Sequence, residues 1–333
     1  MTARAIERWL PEVRTGRIAT RPVPQSPTIP VMDPRRDRAI GALLGLAAGD
    51  AVGTTLEFAT RDSRPPLIAM TGGGPFALAP GQWTDDTSMA LCLAESLLEC
   101  GRLDPSDVMR RFLDWYRNGI NSVTGRCFDI GNTTASALQA FERTGDPFSG
   151  PTDARSAGNG GIMRLAPAVI RFHRDRETAL ATATAQSRTT HGAAAATDGA
   201  RLFAHWLVTA INTGEPAAAL AAHTGYEPSV EAVALGSWRG KARDAISSSG
   251  YVIHTLEAAA WCVEGSAGFE QAVLLAANLA DDADTVAAVT GQLAGALWGA
   301  SAIPQPWLEA LAWREQIHSL ADALYAAGDR PSS

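Results

Sequence analysis

Aromatic residues are scarce in this chain and make up only 7% of its 333 residues. Because β-sheets are enriched in aromatic and β-branched side chains, this scarcity disfavours a sheet protein. Alanine and glycine dominate the apolar content instead, and small residues suit closely packed helices. A clear alternation of polar and apolar residues, the pattern of a half-buried strand, is also lacking. The composition therefore predicts an all-α fold.

Cysteine pairs and excess positive charge are also lacking. The four cysteines (Cys92, Cys100, Cys127 and Cys262) form no CxxC motif, which favours free thiols in a reducing compartment. The chain has 28 Lys and Arg residues against 35 Asp and Glu residues, a formal net charge of −7. General binding to nucleic acid requires a basic surface, so this balance argues against it.

The sequence also lacks signals for membrane insertion and for export. We expect no apolar run of about 18 residues that could span a bilayer, and the N-terminus lacks the apolar region of a secretory signal. These two absences predict a cytoplasmic protein that does not act at a membrane.

Proline and arginine set the N-terminal segment apart from the rest of the chain. Residues 1–36 are predicted to form an extended arm, in which a short turn around Ile6 and Trp9 could dock on the body or on a partner. The alternative interpretation is a poorly ordered terminal tail. The composition does not change again after this segment. One compact helical domain is therefore predicted over residues 37–327, with a short tail over 328–333.

Helical spacing of apolar residues, interrupted by Gly and Pro, predicts most of the domain. From Asp37 the run DRAIGALLGLAAGDAVGTTLEF is typical of a buried helix whose small residues allow close packing. The later predicted helices cover 108–116, 133–142, 164–172, 178–187, 193–213, 255–263, 269–279, 285–298 and 307–327.

Two acidic clusters each precede an apolar helix. Asp85 and Asp86 come before TSMALCLAESLL, and Asp281, Asp282 and Asp284 surround the start of TVAAVTGQLAGALWG. A single Asp at such a position is most often a helix cap. Clustered carboxylates, however, repel one another and resist desolvation unless a cation compensates them. The clusters therefore indicate a metal site beside the capping interpretation.

The donor atoms available at these clusters are oxygens. Thr84 and Thr285 add hydroxyl groups, and no cysteine or paired histidine lies nearby in the sequence. Oxygen ligands favour Mg²⁺ or Mn²⁺ over Zn²⁺. Glu57 is a further acid, and taken alone it indicates a solvated side chain. Asp129 alone indicates a helix cap, although it could also act as a base or an acid near a metal-bound water.

A glycine loop and a histidine complete the candidate residues. The loop SAGNGGIMRLAPAV presents Gly158, Gly160 and Gly161 before a helix, where backbone amides can bind phosphate, although most such loops are simple turns. His191 is most often structural in such a context. It could also donate a hydrogen bond to a ribose or a phosphate.

Six motifs in order resemble the ADP-ribosylglycohydrolase family of the dinitrogenase-reductase-activating type. They are GLAAGDAVGTTLEF, GQWTDDTSMAL, FDIGNTT, SAGNGGIMRLAP, THGAA and DDADTVAAVTGQLAGA, between about residues 37 and 325. This resemblance implies an all-α orthogonal helical bundle. It also implies a cleft for ADP-ribose above two divalent metal ions, Mg²⁺ or Mn²⁺, and hydrolysis of the bond to a modified protein side chain, with arginine the first expectation.

The resemblance also implies roles for particular residues. The metal ligands would be Thr84, Asp85, Asp86, Asp282, Asp284 and Thr285, with Asp85 and Asp284 essential for catalysis. Glu57 would close over the site and Asp129 would handle the ribose ring. Gly158, Asn159 and Gly160 would face the phosphates, and His191 the sugar-phosphate portion of the nucleotide.

Three positions depart from the family pattern, and two other functions stay open. Ala280 and Ala287 replace common glycines, and His254 replaces a common acid, which makes the substrate less certain than the metal site. One alternative function is an immunity protein that neutralises an ADP-ribosylating toxin through its N-terminal arm. The other is hydrolysis of ADP-ribose linked to oxygen or to nucleic acid.

Overall fold

The computed structural model describes residues 33–329. Most of the predicted arm, including Ile6 and Trp9, and residues 330–333 of the tail lie outside the described residues. The first helix begins at Pro34 because the Asp33 carboxylate accepts a hydrogen bond from the backbone N–H of Arg35 and proline suits a first helical turn. The first helix thus begins three residues before residue 37, where the sequence predicts the domain to start.

Fifteen α-helices lie within residues 33–329, and no β-strand forms there. They are α1 (Pro34–Gly53), α2 (Asp85–Cys100), α3 (Pro105–Asn118), α4 (Asn132–Thr144), α5 (Gly160–Met163), α6 (Ala166–Arg171), α7 (Arg176–Thr190), α8 (Ala194–Thr213), α9 (Pro216–Ala219), α10 (Pro228–Ala234), α11 (Val252–Glu264), α12 (Phe269–Ala277), α13 (Ala283–Trp298), α14 (Gln305–Ala310) and α15 (Arg314–Gly328). The prediction of an all-α fold is confirmed.

The core of the domain is the antiparallel pair of α1 and α13. Every fourth residue of α1 meets a small residue of α13 at close range, so that a Cβ atom at Gly45 would clash with the carbonyl oxygen of Gly291. Gly49 meets the carbonyl group of Ala287 in the same way. This contact places the C-terminal end of α1 beside the N-terminal end of α13. The acidic residues of both helices therefore lie together.

Helix α1 corrects one expectation from the sequence. Residues 34–56 form a helical stretch with a mean hydropathy of 1.5, long and apolar enough by composition to cross a membrane. However, 94% of the apolar window is buried inside the described domain. The hydrophobicity of this stretch is that of a helix surrounded by other helices.

One predicted helix is in fact broken. The stretch 307–327 is split into α14 and α15 by Trp313, whose backbone is left-handed with φ of 54°, whereas the stretch 164–172 contains the single helix α6. Apolar periodicity continues across the break because α14 and α15 pack on the same core. Backbone direction is therefore not encoded in that periodicity.

Candidate metal centre and cleft

Acidic side chains from four parts of the chain converge at one end of the α1–α13 pair. The carboxylates form three sets, and within each set one oxygen of every residue lies within 4.8 Å of the others. Asp284 belongs to all three sets. The sets are Asp50, Asp86 and Asp284; Glu57, Asp282 and Asp284; and Asp85, Asp129 and Asp284. The two clusters separated in sequence thus form one centre.

Asp284 is the residue that the three sets share. It lies in the first turn of α13 and is 2% exposed. Its backbone N–H donates to the Glu57 carboxylate at 3.1 Å, and its Oδ2 lies 3.0 Å from the Thr84 hydroxyl. Thr285 donates its backbone N–H to Asp284 Oδ1 at 2.7 Å, and its hydroxyl lies 3.4 Å from Asp86 Oδ1. The predicted ligands therefore meet around one carboxylate.

Asp50 belongs to this centre and was missed in the sequence. It is fully buried in α1, where its carboxylate accepts hydrogen bonds from the backbone N–H of Thr84 and of Thr87 at 2.9 and 3.0 Å. The hydroxyl groups of both threonines also lie within 2.9 Å of it. Asp50 thus fixes the start of α2. A carboxylate near the C-terminal end of an otherwise apolar helix is the sequence signal that could have identified it.

Unpaired carboxylate oxygens show that this donor set fits divalent cations. Asp86 Oδ2 and Asp129 Oδ2 are buried and have no hydrogen-bond partner among the described residues. Buried anionic oxygens without partners are strongly unfavourable unless a cation or a proton compensates them. The three sets found among the described residues consist of carboxylates, and the Thr84 and Thr285 hydroxyl groups lie beside them. Such oxygen donors match the preference of Mg²⁺ and Mn²⁺.

Burial and mutual repulsion raise the pKa values across the centre. Burial, followed by the neighbouring Asp284 carboxylate, raises the pKa of Asp50 to about 7 and that of Asp282 to about 8. The same two causes raise the pKa values of Asp85 and Asp86 well above their ordinary range. Without added positive charge, these groups therefore keep their protons to a higher pH than ordinary carboxyl groups do.

These raised pKa values predict how metal ions affect stability at different pH. The folded acids bind protons more tightly than the unfolded ones, so the metal-free protein loses stability as pH rises from about 4 towards about 8. Cations replace those protons and remove the loss. We expect Mg²⁺ or Mn²⁺ to raise the Tm more at about pH 8 than at about pH 6, measured by thermal denaturation against a chelator control. An equal rise at both values would contradict this assignment.

An open cleft of about 280 Å³ lies above the acidic centre. Its walls come from the loop after α1, the loop before α4, α5 and the start of α13. The lining residues are Glu57, Phe58, Asp85, Asp129, Ile130, Gly131, Asn132, Thr134, Asn159, Gly160, Met163, His191, Asp282, Asp284 and Thr285. Most of the predicted site residues therefore share this cleft, whereas Thr84 and Asp86 lie in the buried layer beneath it.

Glu57 and Asp129 lie on two different loops that line the cleft. Burial, followed by the Asp284 carboxylate, raises the pKa of Glu57 to about 12 and that of Asp129 to about 11. Asp129 and Phe58, which follows Glu57, both have left-handed backbones, with φ of 60° and 56°. Such strain is held only where the surrounding structure fixes it and is frequent at functional sites.

The glycine loop holds the acidic centre as well as lining the cleft. The Asn159 side chain donates to Asp282 Oδ2 at 2.6 Å, so its amide positions a predicted metal ligand. The backbone N–H groups of Gly158 and Asn159 donate to the carbonyl oxygens of Ser156 and Gly250. Gly160 lines the cleft, whereas Gly158 does not.

The three departures from the family pattern lie around the second acidic cluster. Ala280 adopts a left-handed φ of 58°, which glycine adopts more easily, and it is nevertheless 2% exposed within the core. Ala287 packs against Gly49. His254 Nδ1 lies 2.7 Å from the Ser249 hydroxyl. Among the described residues, the contacts of Ala287 and His254 are therefore with a neighbouring helix and a loop, and Ala280 shapes the backbone before α13.

Comparison with known proteins agrees with this geometry. A family model described as ADP-ribosylglycohydrolase matches residues 32–333. The ADP-ribosylarginine hydrolase Tri1 of Pseudomonas putida (strain GB-1) is 50% identical over 290 residues, which cover 87% of this chain and 78% of the relative. The ADP-ribosyl-[dinitrogen reductase] glycohydrolase of Rhodospirillum rubrum is 32% identical over 306 residues, covering 87% of this chain and 96% of the relative.

A solved structure shows the same architecture. It is described as an ADP-ribosylglycohydrolase-related protein complex and is 42% identical to this chain, with a TM-score of 0.79. The similarity covers 88% of this chain and 99% of that structure.

Proposed function

The chain belongs to the ADP-ribosylglycohydrolase family, and from this we propose that it hydrolyses the N-glycosidic bond between ADP-ribose and an arginine side chain of a modified protein. The observation that carries the proposal is the carboxylate centre shared through Asp284 at the floor of an open cleft. Two relatives named as ADP-ribosylarginine hydrolases support arginine as the linkage.

The proposed cofactor is a pair of Mg²⁺ or Mn²⁺ ions. The residues that would hold them are Thr84, Asp50, Asp85, Asp86, Asp282, Asp284 and Thr285. When bound, such ions supply Lewis acidity towards ribose oxygens and orientation of a water molecule. The three overlapping carboxylate sets support more than one cation, because one ion would leave some of these buried anions uncompensated.

The chain itself supplies orientation and proton handling in this proposal. Asn159 orients the Asp282 carboxylate, and Asp50 orients the Thr84 hydroxyl. Asp129 Oδ2 is unpaired and borders the cleft, so it can hold or accept a proton next to the substrate. Glu57 accepts the backbone N–H of Asp284 and thereby connects the loop after α1 to the centre.

An aromatic side chain at the rim of the cleft favours a substrate whose leaving group is a cation. Phe58 lines the cleft and is 68% exposed, and its ring packs edge-to-face on Phe76, which in turn contacts Phe128. The guanidinium of a modified arginine carries positive charge, and cations bind favourably to aromatic faces. A serine-linked substrate has no such charge.

The test compares arginine-linked and serine-linked ADP-ribosyl peptides with and without Mg²⁺, Mn²⁺ and a chelator. We expect cleavage of the arginine linkage in the presence of metal. Phe58→Leu should lower kcat/KM for it by about two- to fivefold, because a cation–π contact at an exposed site contributes about 0.5–1 kcal/mol. Phe58→Tyr keeps the ring and should retain activity. Preference for the serine linkage would reject the proposed substrate.

A toxin-binding role of the N-terminal arm stays a separate prediction. The arm lies outside the described residues, and no contact of residues 33–329 supports or opposes that role. A deletion that tests it should remove residues 1–32 and keep Asp33, because Asp33 caps α1. The cytoplasm also stays the proposed location, supported by four cysteines that are all free.

A further inference from the structure

Arg164 is a fully buried cation without an acidic partner. Its exposed fraction is 0%, and no carboxylate of residues 33–329 forms an ion pair with it. Its Nε donates to Gln186 Oε1 at 3.0 Å, and its Nη2 donates to the Thr190 hydroxyl at 2.7 Å. The guanidinium also lies 4.6 Å from the centre of the Phe112 ring. Neutral groups therefore fix the position of this charge.

The contact with Arg164 fixes the direction of the hydrogen bonds that the Thr190 hydroxyl makes. A guanidinium nitrogen can only donate, so Thr190 Oγ1 accepts that hydrogen bond and keeps its own hydrogen for another partner. The other partner is His191 Nδ1, at 2.9 Å. Because Thr190 donates to it, Nδ1 must carry a lone pair. The proton of the neutral imidazole then lies on Nε2.

The opposite tautomer is less favourable. With a proton on Nδ1, the Thr190 hydroxyl would accept two hydrogen bonds, and its own hydrogen would be buried without an acceptor. An unsatisfied buried donor costs about 1–3 kcal/mol. Burial, followed by the charge of Arg164, lowers the pKa of His191 to about 3, so the imidazole is neutral near pH 7 and has one N–H group.

The Nε2 atom of His191 is available to a ligand. His191 lines the cleft, and its Nε2 has no hydrogen-bond partner among the described residues. Gly158 and Gly160 pass so close to the ring that a Cβ atom on either would lie 3.0 Å from Nε2. Glycine at these positions therefore leaves room around the nitrogen, which is not filled by a side chain of the loop.

We propose that Arg164 and Thr190 are positioning residues that lock His191 in the Nε2–H tautomer, so that the cleft presents one fixed N–H donor to an oxygen of the substrate. This inference rests on the proposed function for the identity of that oxygen, in the ribose or phosphate groups of ADP-ribose. The proton position itself follows from the protein alone. A fixed donor avoids the reorganisation that a mixture of tautomers would require on binding.

Nitrogen NMR of the histidine side chains tests the proton position without any substrate. The protein is labelled with ¹⁵N-histidine, and the signals of His191 are assigned among the six histidines by their loss in His191→Gln. In the wild-type protein we expect Nδ1 in the unprotonated range and Nε2 in the protonated range from about pH 6 to 8. A protonated Nδ1 in the wild-type spectrum would overturn the proposal.

The hydrogen bonds from Arg164 to Thr190 and from Thr190 to His191 are called the relay below. Two substitutions at Thr190 test its role. Thr190→Ser keeps the hydroxyl and should keep both the tautomer and the activity. Thr190→Val removes it, and we expect mixed tautomer signals and a rise in KM of about tenfold with little change in kcat, because the lost donor serves binding. A Thr190→Val protein with unchanged His191 signals would also overturn the proposal.

The NMR result separates the failure of this inference from the failure of the proposed function. If the Nε2–H tautomer is observed but arginine-linked ADP-ribose is not cleaved, the relay stands and the proposed substrate fails. If cleavage occurs while His191 carries its proton on Nδ1, the proposed function stands and the relay fails. Should Thr190→Val not fold, the wild-type and Thr190→Ser spectra still decide the proton position.

Discussion

Replacing Asp284 by Asn is expected to lower turnover by more than about 1000-fold, because loss of a shared metal ligand disables the metal-assisted chemistry. Asp284 belongs to all three carboxylate sets, whereas each of the other acids belongs to one. The substitution also removes negative charge from a crowded, buried centre. The metal-free variant should therefore have a higher Tm than the metal-free wild-type protein.

This second effect makes the prediction specific. A merely misfolded variant would lose both activity and stability, whereas Asp284→Asn should lose activity and the Tm increase caused by Mg²⁺ or Mn²⁺. The control is Asp281→Asn, which removes one charge from an exposed neighbour whose left-handed φ of 65° suits asparagine. Isothermal titration with Mn²⁺, thermal denaturation and the hydrolase assay measure the three effects. Tight metal binding by Asp284→Asn would reject the central role of this residue.

The second large effect is expected at the crossing of α1 and α13. A Cβ atom at Gly291 would clash with the Gly45 carbonyl oxygen, a backbone atom that cannot move aside as a flexible side chain can. Gly291→Ala must therefore separate the two helices. Overpacking typically destabilises by about 1–3 kcal/mol and occasionally more. We expect about 3 kcal/mol or more, even though alanine favours a helix over glycine by about 1 kcal/mol.

Urea denaturation of Gly291→Ala and of a matched control measures this effect. Gly268→Ala is the control, because no atom lies within 4 Å of a Cβ at that position and its extended backbone suits any residue. Its free energy of unfolding should stay near that of the wild-type protein. If Gly291→Ala were equally stable, the close helix crossing would be wrong. Because this crossing also aligns Asp50 with Asp284, metal affinity should fall together with stability.

The sequence predicted the chemistry of the centre better than its geometry. Asp85, Asp86, Asp282 and Asp284 stood out because acids before apolar helices are unfavourable without compensation. Asp50 did not stand out, since one acid in an apolar helix offers no pattern of spacing. Only the packing of α1 against α2 shows that its carboxylate binds the amide groups at the start of α2.

The break in the predicted helix over 307–327 has a similar cause. Residues 307–327 keep apolar residues at helical spacing, yet Trp313 turns the backbone between α14 and α15. Both segments bury the same kinds of side chain, so the spacing is equally consistent with one helix or two. The direction of the chain at Trp313 is set by tertiary contacts, including the packing of its ring on Trp83.

By itself the sequence determined the all-α class, the oxygen-rich donor set and the small residues that let α1 and α13 approach closely. These features follow from local composition and spacing, which act within a few turns of helix. The tertiary structure alone decided that Asp284 is the shared carboxylate and that Arg164 and Thr190 fix the proton of His191. Such roles depend on distances between atoms far apart in the chain, which no local pattern encodes.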